Sequence, residues 1–472
     1  MTKSAKYQQL AQLLQNKLQQ GEYQPGQALP SLRQCCELHQ VSMTTALATY
    51  RQLESLGLIV ASNKRGYFVA PTPKITKQHF PNFVAQTATP LLRQRLAQEP
   101  LFGFATAQLD ETLMDSEHLA ASIARVNRHS SKLFNYANVA GNSQLREALC
   151  QHFAAQGFNC QAARLVITQG CLDAVMTALQ VTTQVGDVVA VASPCYSGLL
   201  NTLALLQRRV LEIPSTPEGL DLTQLEHALA NNQVQACLLT VNQQNPTGHS
   251  LSTSQKQQLA ALAKRYQCPI IEDDVFRELS HGAAIPLPLK YYDEAGWVLW
   301  CSSVSKTLAP GLRIGWCEPG RFYQPFVDCV ATRSLGGNQP LQLALADYLQ
   351  RGHYARHLHQ VNRTLAAQTE QYLQVMQSEL PAPLIPQKPH GGLVFWLNLA
   401  PLIAVDIQQL LAKQGIAVRD GDDFSTTPLY RHYLRLNFGL KLTAEIEAQL
   451  RLALRLIKAA YLKATQAQSK CQ

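Results

Sequence analysis

The sequence predicts an α/β main domain with a mostly parallel sheet, a small C-terminal α+β subdomain and an N-terminal winged helix-turn-helix. Beyond about residue 100, apolar runs such as RLVITQG, DVVAVASP and CPIIEDD alternate with amphipathic helical patterns such as Thr253–Tyr266. This alternation is typical of parallel strands connected by crossover helices. Before residue 70, three helical segments precede two short β-type runs. That order of elements predicts a winged helix-turn-helix.

The chain is expected to contain several domains, because 472 residues exceed one typical hydrophobic core. Residues 1–70 form the predicted winged helix-turn-helix, and residues 71–98 form a linker with three prolines near its start. Residues 99–462 form the predicted main domain. Residues 463–472 are expected to be a polar C-terminal tail.

Composition indicates a globular protein, since 46% of the residues are hydrophobic and only 15% are charged. The polar start of the chain lacks the apolar segment of a signal peptide, and no apolar run approaches the roughly 18 residues of a membrane helix. The 12 cysteines show no paired Cys-x-x-Cys spacing, and the histidines form no metal-binding pattern. We therefore expect reduced thiols, no bound metal, no membrane association and a cytoplasmic location.

The first seventy residues carry the signals that set the limits of their helices. Leu10 and Leu14 lie on one helical face, and Gly21 is expected to end that helix. Ser31 and Ser42 each precede a helical pattern and are predicted N-caps. These seventy residues contain four Lys, three Arg, three Glu and no Asp, a net charge of +4 that suits contact with a polyanion.

The segments PGQALPSLRQ, VSMTTALATYRQLESLGLI and KRGYFV resemble the DNA-binding domain of GntR-type bacterial regulators. The resemblance implies that the helix beginning at Ser42 enters the major groove of double-stranded DNA. The residues expected to contact DNA are Arg33, Ser42, Thr44, Thr45, Arg51, Lys64 and Arg65. Met43 stands where the family usually has arginine, which leaves Arg33, Thr44 and Thr45 as the candidates for base contacts. A winged-helix module that binds another protein is the alternative.

In the main domain, conspicuous residues stand at the ends of five predicted strands. Because carboxyl ends of parallel strands meet at one edge of a sheet, these residues are expected to line one crevice. They are Gly170 with Cys171, Pro194 with Tyr196, Asn245, Asp273, and Ser303 with Lys306.

The residue types at these strand ends match the needs of pyridoxal phosphate. A desolvated lysine amine forms a Schiff base with an aldehyde, and Lys306 is the candidate. Asp273 can keep the pyridine nitrogen protonated, and Asn245 can donate to the ring oxygen. Tyr196 offers an aromatic face for the ring.

The phosphate of that cofactor requires backbone N–H groups at a helix start and a cationic side chain. Gly170, Cys171 and Leu172 supply the predicted helix start, and Arg313 supplies the cation.

The ordered motifs resemble fold-type I aminotransferases over roughly residues 100–460. In NYANVAGNSQLREAL, the resemblance implies that Tyr136 reaches the phosphate of the cofactor bound by a partner subunit, and therefore a homodimer. NPTG contains Asn245, and SSVSKTLAPGLRIG implies that Ser303 and Arg313 bind the phosphate beside Lys306. YLRLNFG implies that Arg435 holds the α-carboxylate of a substrate.

Three departures from that family concern the cofactor and the substrate. Phe276 stands where a tyrosine usually donates to the ring oxygen, which removes a hydrogen bond of about 0.5–1.5 kcal/mol. Cys171 and Leu172 replace polar residues of the phosphate loop. The segment RDGDDFS, residues 419–425, places one arginine and three aspartates where neutral residues are usual.

A GntR-type DNA-binding domain joined to an aminotransferase-like domain resembles the MocR subfamily of regulators. The resemblance implies a transcriptional regulator that senses an amino acid or amine through the Lys306 aldimine and associates with the bacterial nucleoid when DNA-bound. The alternatives are a competent aminotransferase that carries an accessory DNA-binding domain, and a scaffold that binds no cofactor.

Overall fold

The structure, a computed structural model, divides the chain into two compact units, Met1–His79 and Phe80–Gln472. It describes residues 6–19, 22–23, 26–55, 58–62, 66–69, 85–87, 102–128, 133–136, 138–281 and 284–471. Among these residues, no helix combines the length and apolar character needed to cross a membrane.

The described part of the N-terminal unit consists of helices followed by an antiparallel strand pair. Its elements are α1 (Lys6–Gln19), α2 (Leu32–His39), α3 (Met43–Ser55), β1 (Ile59–Ser62) and β2 (Gly66–Val69). Their core includes the buried side chains of Leu10, Leu14, Ala46, Tyr50 and Leu53. The helical stripes predicted from the sequence therefore form one small core.

Both predicted N-caps of this unit are confirmed. Ser31 Oγ accepts a hydrogen bond from the Gln34 backbone N–H at 3.3 Å, and Gln34 Oε1 accepts one from the Ser31 N–H at 2.8 Å. This reciprocal capping box fixes the start of α2. Ser42 Oγ accepts from the Thr45 N–H at 3.2 Å at the start of α3. The predicted basic turn at Lys64 and Arg65 and the predicted stop at Gly21 lie outside the described residues.

The second unit contains the α/β architecture predicted from the sequence. Its strands are β3 (Gln86–Thr87), β4 (Phe102–Gly103), β5 (Val166–Thr168), β6 (Val188–Ser193), β7 (Arg209–Thr216), β8 (Gly219–Leu220), β9 (Ala236–Leu239), β10 (Ile270–Asp273), β11 (Val298–Ser303), β12 (Gly315–Glu318), β13 (Val394–Asn398), β14 (Ile416–Ala417), β15 (Arg419–Asp420) and β16 (Tyr433–Asn437). Its helices are α4 (Ser116–Arg128), α5 (Ser143–Ala154), α6 (Cys171–Thr182), α7 (Ser197–Leu205), α8 (Leu222–Ala230), α9 (Thr253–Tyr266), α10 (Tyr323–Ser334), α11 (Gln339–Gln350), α12 (His353–Glu379), α13 (Ala404–Ala412) and α14 (Ala444–Cys471).

The main sheet has the strand order β3-β7-β6-β9-β10-β11-β12-β5, with β8 paired to β7. Strands β7, β6, β9, β10 and β11 are parallel, whereas β12 is antiparallel to both of its neighbours. The carboxyl end of β5 therefore lies at the same edge as those of β6, β9, β10 and β11. This edge is where the predicted site residues stand.

Side chains of alternate residues reach opposite faces of this sheet, as the period of a β-strand requires. Val189 and Val191 of β6 pack in a cluster with residues of α6, α7 and α10. Ala190 and Ala192 pack in another cluster with residues of α8 and α9. Burial on both faces explains why these strands read as continuous apolar runs in the sequence.

A smaller antiparallel sheet, with the order β13-β16-β15, forms the predicted C-terminal α+β subdomain. Its inner face packs against α12, α13 and α14 through residues such as Phe395, Leu436 and Leu450. Strand β14 pairs with β4, so that the chain around Phe102 is attached to this subdomain.

The segments predicted as a linker and a C-terminal tail both contain regular secondary structure. Gln86–Thr87, within the predicted linker 71–98, forms an antiparallel edge strand beside β7. Helix α14 continues through residues 463–471, so the segment predicted as a polar C-terminal tail is helical up to Cys471.

Candidate cofactor and ligand site

Lys306 lies in the turn that follows β11 and is partly buried. Its Nζ donates a hydrogen bond to the Ala107 carbonyl at 2.6 Å and lies 6.0 Å from the centre of the Phe276 ring. The pKa of the Lys306 ammonium is lowered to about 8, mainly by burial and then by the positive charge of Arg435, against the opposing effect of Asp273. A lysine in this state has a much larger neutral fraction near pH 7 than a surface lysine.

Asp273 is the last residue of β10 and is buried. The Cys171 thiol donates to its Oδ1 at 3.2 Å. Burial raises the pKa of the Asp273 carboxyl to about 6, while the Cys171 hydrogen bond and the Lys306 charge act in the opposite direction. A protonated ring nitrogen beside this carboxylate would stabilise its ionised form far better than a thiol does.

Gly170 precedes α6 in a backbone conformation that favours glycine, with φ of +101°. A Cβ atom there would lie 2.4 Å from Arg313 Nη2, and one on Gly315 would lie 2.5 Å from the Gly170 carbonyl carbon. The two glycines therefore let the start of α6, β12 and the Arg313 guanidinium approach closely. The first N–H groups of α6, at Cys171 and Leu172, and the guanidinium form a surface suited to an anion.

Arg313 is exposed and donates to the Gln169 carbonyl at 3.0 Å and to Ser305 Oγ at 3.3 Å. Ser303 is buried, and its Oγ accepts from the Ser305 N–H at 3.3 Å. Ser305 was not among the predicted site residues. Its position directly before Lys306 in the sequence could have indicated that it belongs to the site.

Arg435 lies on β16 and is only 2% exposed. Its guanidinium donates to Asn245 Oδ1 at 3.1 Å and to the Ala105 carbonyl, while its Nε is buried and finds no hydrogen-bond partner in the described ranges. Burial and, after it, the Arg419 charge lower the pKa of this guanidinium to about 9. No described carboxylate forms an ion pair with Arg435. A buried guanidinium without a paired carboxylate favours the binding of an anionic group of a ligand.

Two of the remaining predicted residues adjoin this cation. Tyr196 precedes α7, and burial raises the pKa of its hydroxyl while the charge of Arg435 lowers it. Asn245 is buried and is joined to Pro246 by a cis peptide bond. Phe276 is buried beside Lys306 and has no hydroxyl to offer.

The crevice thus brings together most of the predicted residues of the second unit, and the exceptions are Tyr136 and Leu172. The Tyr136 side chain is 89% exposed and does not line the crevice of its own chain. Leu172 contributes its position at the helix start, but its side chain is exposed. Sequence reasoning missed the Ala105 and Ala107 carbonyls, because backbone groups carry no residue signature.

In the N-terminal unit, Arg33, Ser42, Thr44 and Arg51 are exposed, and Thr45 is half-buried. The Ser42 and Thr45 hydroxyls lie 2.9 Å apart and bond to each other at the start of α3. Among the described candidates for DNA contact, Arg33, Thr44 and Arg51 are therefore exposed and take no part in this capping interaction.

Comparison with known proteins agrees with both units. The family model described as bacterial regulatory proteins, gntR family, matches residues 6–69, and aminotransferase class I and II matches residues 102–448. The HTH-type transcriptional regulator YdcR of Escherichia coli strain K12 is 36% identical over 442 residues, covering 92% of this chain and 94% of YdcR. The chain belongs to the MocR subfamily of GntR-type regulators. The HTH-type regulator YjiR of the same strain is 31% identical, covering 93% of this chain and 96% of YjiR.

Solved structures confirm the predicted fold of the aminotransferase-like part of this MocR-type chain. Kynurenine aminotransferase of Pyrococcus horikoshii, in complex with PMP, has a TM-score of 0.72 at 22% identity, covering 79% of this chain and 93% of that one. The α-aminoadipate aminotransferase LysN of Thermus thermophilus, complexed with N-(5'-phosphopyridoxyl)-L-leucine, has a TM-score of 0.70 at 24% identity, covering 81% and 97%.

Proposed function

We propose that this regulator binds pyridoxal phosphate at Lys306. We further propose that its affinity for DNA changes when an amino acid or amine binds in the same crevice. The observation that carries the proposal is the partly buried Lys306 amine, with its lowered pKa, between Asp273 and Arg435 in a chain that also has a GntR-type DNA-binding unit. A chain that contains both a reactive amine and a DNA-binding unit can couple the binding of a small ligand to the regulation of transcription.

The residues of the crevice fit the cofactor. Within the described part of the chain, Asp273 is a buried carboxylate without a cationic hydrogen-bond donor, and Arg435 Nε is a buried donor without an acceptor. The glycine at position 170 leaves the start of α6 open beside Arg313. Asp273 would hold the ring nitrogen, and Ser303, Arg313 and the N–H groups of Cys171 and Leu172 would hold the phosphate. The remaining contacts would be Asn245 at the ring oxygen, Tyr196 and Phe276 against the ring, and Arg435 at the ligand carboxylate.

When bound, pyridoxal phosphate supplies an aldehyde that reacts reversibly with amines and a ring that withdraws electrons. The chain's own contribution is to keep Lys306 partly neutral, to place the buried carboxylate of Asp273 where the ring nitrogen would lie, and to bury Arg435 away from water. A ligand that contacts Arg435 and releases Lys306 can bias two arrangements of the chain by a few kcal/mol.

We also propose a homodimer, with Tyr136 reaching the cofactor phosphate in the partner subunit. Tyr136 and the nearby Phe134 are 89% and 83% exposed, and two such aromatic side chains on one short segment favour an interface.

A working aminotransferase is the second candidate function, because Lys306 and Asp273 are both present. The missing hydroxyl at Phe276 favours the sensor, since the ring oxygen loses one donor.

The DNA-binding part of the proposal predicts that the full-length protein binds duplex DNA from upstream of its own coding sequence more tightly than random duplex. Affinity should fall steeply with salt, because phosphate contacts release counterions. Arg33→Gln should weaken binding about 10-fold, since one arginine contact to DNA contributes about 1–3 kcal/mol. Fluorescence anisotropy of a labelled duplex measures both effects.

Arg363→Gln is the matched control, because Arg363 is an exposed arginine on α12 of the other unit. Its affinity for DNA should equal that of the unmodified protein. Equal affinity for upstream and random duplex, together with no effect of Arg33→Gln, would exclude the proposed DNA contacts.

A further inference from the structure

Three large side chains stand in one row across the small sheet of the C-terminal subdomain. Arg435 of β16 is in register with Trp396 of β13 on one side and with Arg419 of β15 on the other. Residues in register on neighbouring strands lie on the same face of a sheet. Arg419 therefore stands beside the arginine that faces the crevice.

The two guanidinium groups converge on one neutral oxygen. Arg435 Nη2 donates to the Ala105 carbonyl, and Arg419 Nε donates to the same oxygen at 3.4 Å. Arg435 Nε is buried and has no hydrogen-bond partner among the residues that the structure describes. A carboxylate at this position would bond more strongly than a peptide carbonyl, because both partners would then be charged.

The two arginines differ in the acids that surround them. Arg419 Nη1 forms an ion pair with Asp423 Oδ2 at 3.2 Å, and the Asp423 side chain is buried. Arg435 has no such acid among the described residues. Arg419 therefore has acidic neighbours in Asp423 and in the buried Asp420, whereas Arg435 is the guanidinium whose charge a ligand carboxylate would balance.

We propose that Arg419 binds the ligand's carboxylate together with Arg435, at the position that the Ala105 carbonyl occupies in this structure. The inference rests on the proposed function, since the ligand's amino group is expected at Lys306. It identifies the ligand class as amino acids, because an amine without a carboxylate leaves the two guanidinium groups without an anion. Binding then displaces the Ala105 carbonyl from both arginines.

The competing explanation is that Arg419 serves only as the ion-pair partner of Asp423. The two explanations predict different results for the two partners. If the ion pair alone matters, Arg419→Gln and Asp423→Asn should weaken ligand binding alike. If Arg419 binds the carboxylate, Arg419→Gln should weaken binding, whereas Asp423→Asn should preserve or strengthen it, since it removes a competing negative charge.

The experiment uses two stable conjugates that differ only in the carboxylate, N-(5'-phosphopyridoxyl)-L-alanine and N-(5'-phosphopyridoxyl)ethylamine. Calorimetric titration of the cofactor-free full-length protein measures the affinity of each. Arg419→Gln should lower the affinity for the alanine conjugate about 10-fold or more, as expected when one charge-assisted hydrogen bond is lost. It should leave the affinity for the ethylamine conjugate unchanged. The rise in Tm that each conjugate produces gives a second readout.

Arg431→Gln is the matched control, because Arg431 is an exposed arginine of the same subdomain. Its affinities should equal those of the unmodified protein. Equal weakening of both conjugates by Arg419→Gln, weakening of the alanine conjugate by Asp423→Asn to the same extent, or no change would overturn the inference. Failure of the unmodified protein to bind either conjugate would instead contradict the proposed cofactor site, and the inference would fall with it.

Discussion

Lys306→Ala should abolish the visible absorbance band that forms when pyridoxal phosphate is added to the protein. Among the described residues that line the crevice, Lys306 supplies the only side-chain amine, and its Nζ has just the Ala107 carbonyl as hydrogen-bond partner. The ring and phosphate contacts come from other residues, so the variant should still bind the cofactor without covalent attachment. Absorbance spectroscopy measures the band, and equilibrium dialysis measures the remaining binding.

The pH dependence of this band gives an independent reading of the same amine. Because the pKa of Lys306 is lowered to about 8 from its ordinary 10.5, the neutral amine predominates above pH 8. The rate of band formation should rise with pH and level off there, whereas an ordinary lysine would continue to gain reactivity for about two further units. Lys413→Ala, which removes an exposed lysine, is the control and should form the band normally. A normal band in Lys306→Ala would show that another group binds the cofactor.

Asp274→Ala should destabilise the second unit by about 3–5 kcal/mol, as expected when one partner of a buried ion pair is removed. Asp274 and Arg277 are both buried, and Arg277 Nε lies 3.1 Å from Asp274 Oδ2. The same carboxylate accepts from Asn242 Nδ2 and Trp300 Nε1, each at 2.8 Å. The variant removes the ion-pair partner of Arg277 in the core and takes the acceptor away from two further donors.

Urea unfolding followed by tryptophan fluorescence measures this effect, because Trp300 is itself buried beside Asp274. Asp328→Ala is the control, since Asp328 is exposed and its carboxylate accepts a hydrogen bond from Gln324, while Thr332 donates to its backbone carbonyl, which the substitution keeps. Its free energy of unfolding should change by less than about 0.5 kcal/mol. A change of under about 1 kcal/mol in Asp274→Ala would mean that the buried charge is compensated elsewhere.

The α/β architecture could be predicted from the sequence because its central strands are buried on both faces. β6 and β9 therefore read as apolar runs, and the polar residues at or after their carboxyl ends mark where the strands stop. The order of the strands could not be predicted in the same way. Strand β12 is antiparallel and lies between β11 and β5, and nothing in the GWCE run distinguishes it from a parallel strand.

Within the crevice, side chains could be predicted but their partners could not. Asp273 and Arg435 were identified by residue type and position, whereas the Cys171 thiol on Asp273 and the Ala105 carbonyl on Arg435 depend on tertiary contacts. Arg419 was visible as an unusual residue in the 419–425 segment. Only the strand register places it beside Arg435, and only the structure selects Asp423 among the nearby aspartates as its ion-pair partner.

The most direct test of the central claim measures DNA affinity in the presence of the cofactor, with each of the common protein amino acids added singly. If the crevice controls the DNA-binding unit, at least one amino acid should change the Kd for upstream duplex about 5-fold or more, as expected for a coupling free energy of about 1–3 kcal/mol. The same amino acid should have no effect on Lys306→Ala. An unchanged Kd with every amino acid, or an equal response in Lys306→Ala, would contradict the claim that the Lys306 site reports a ligand to DNA.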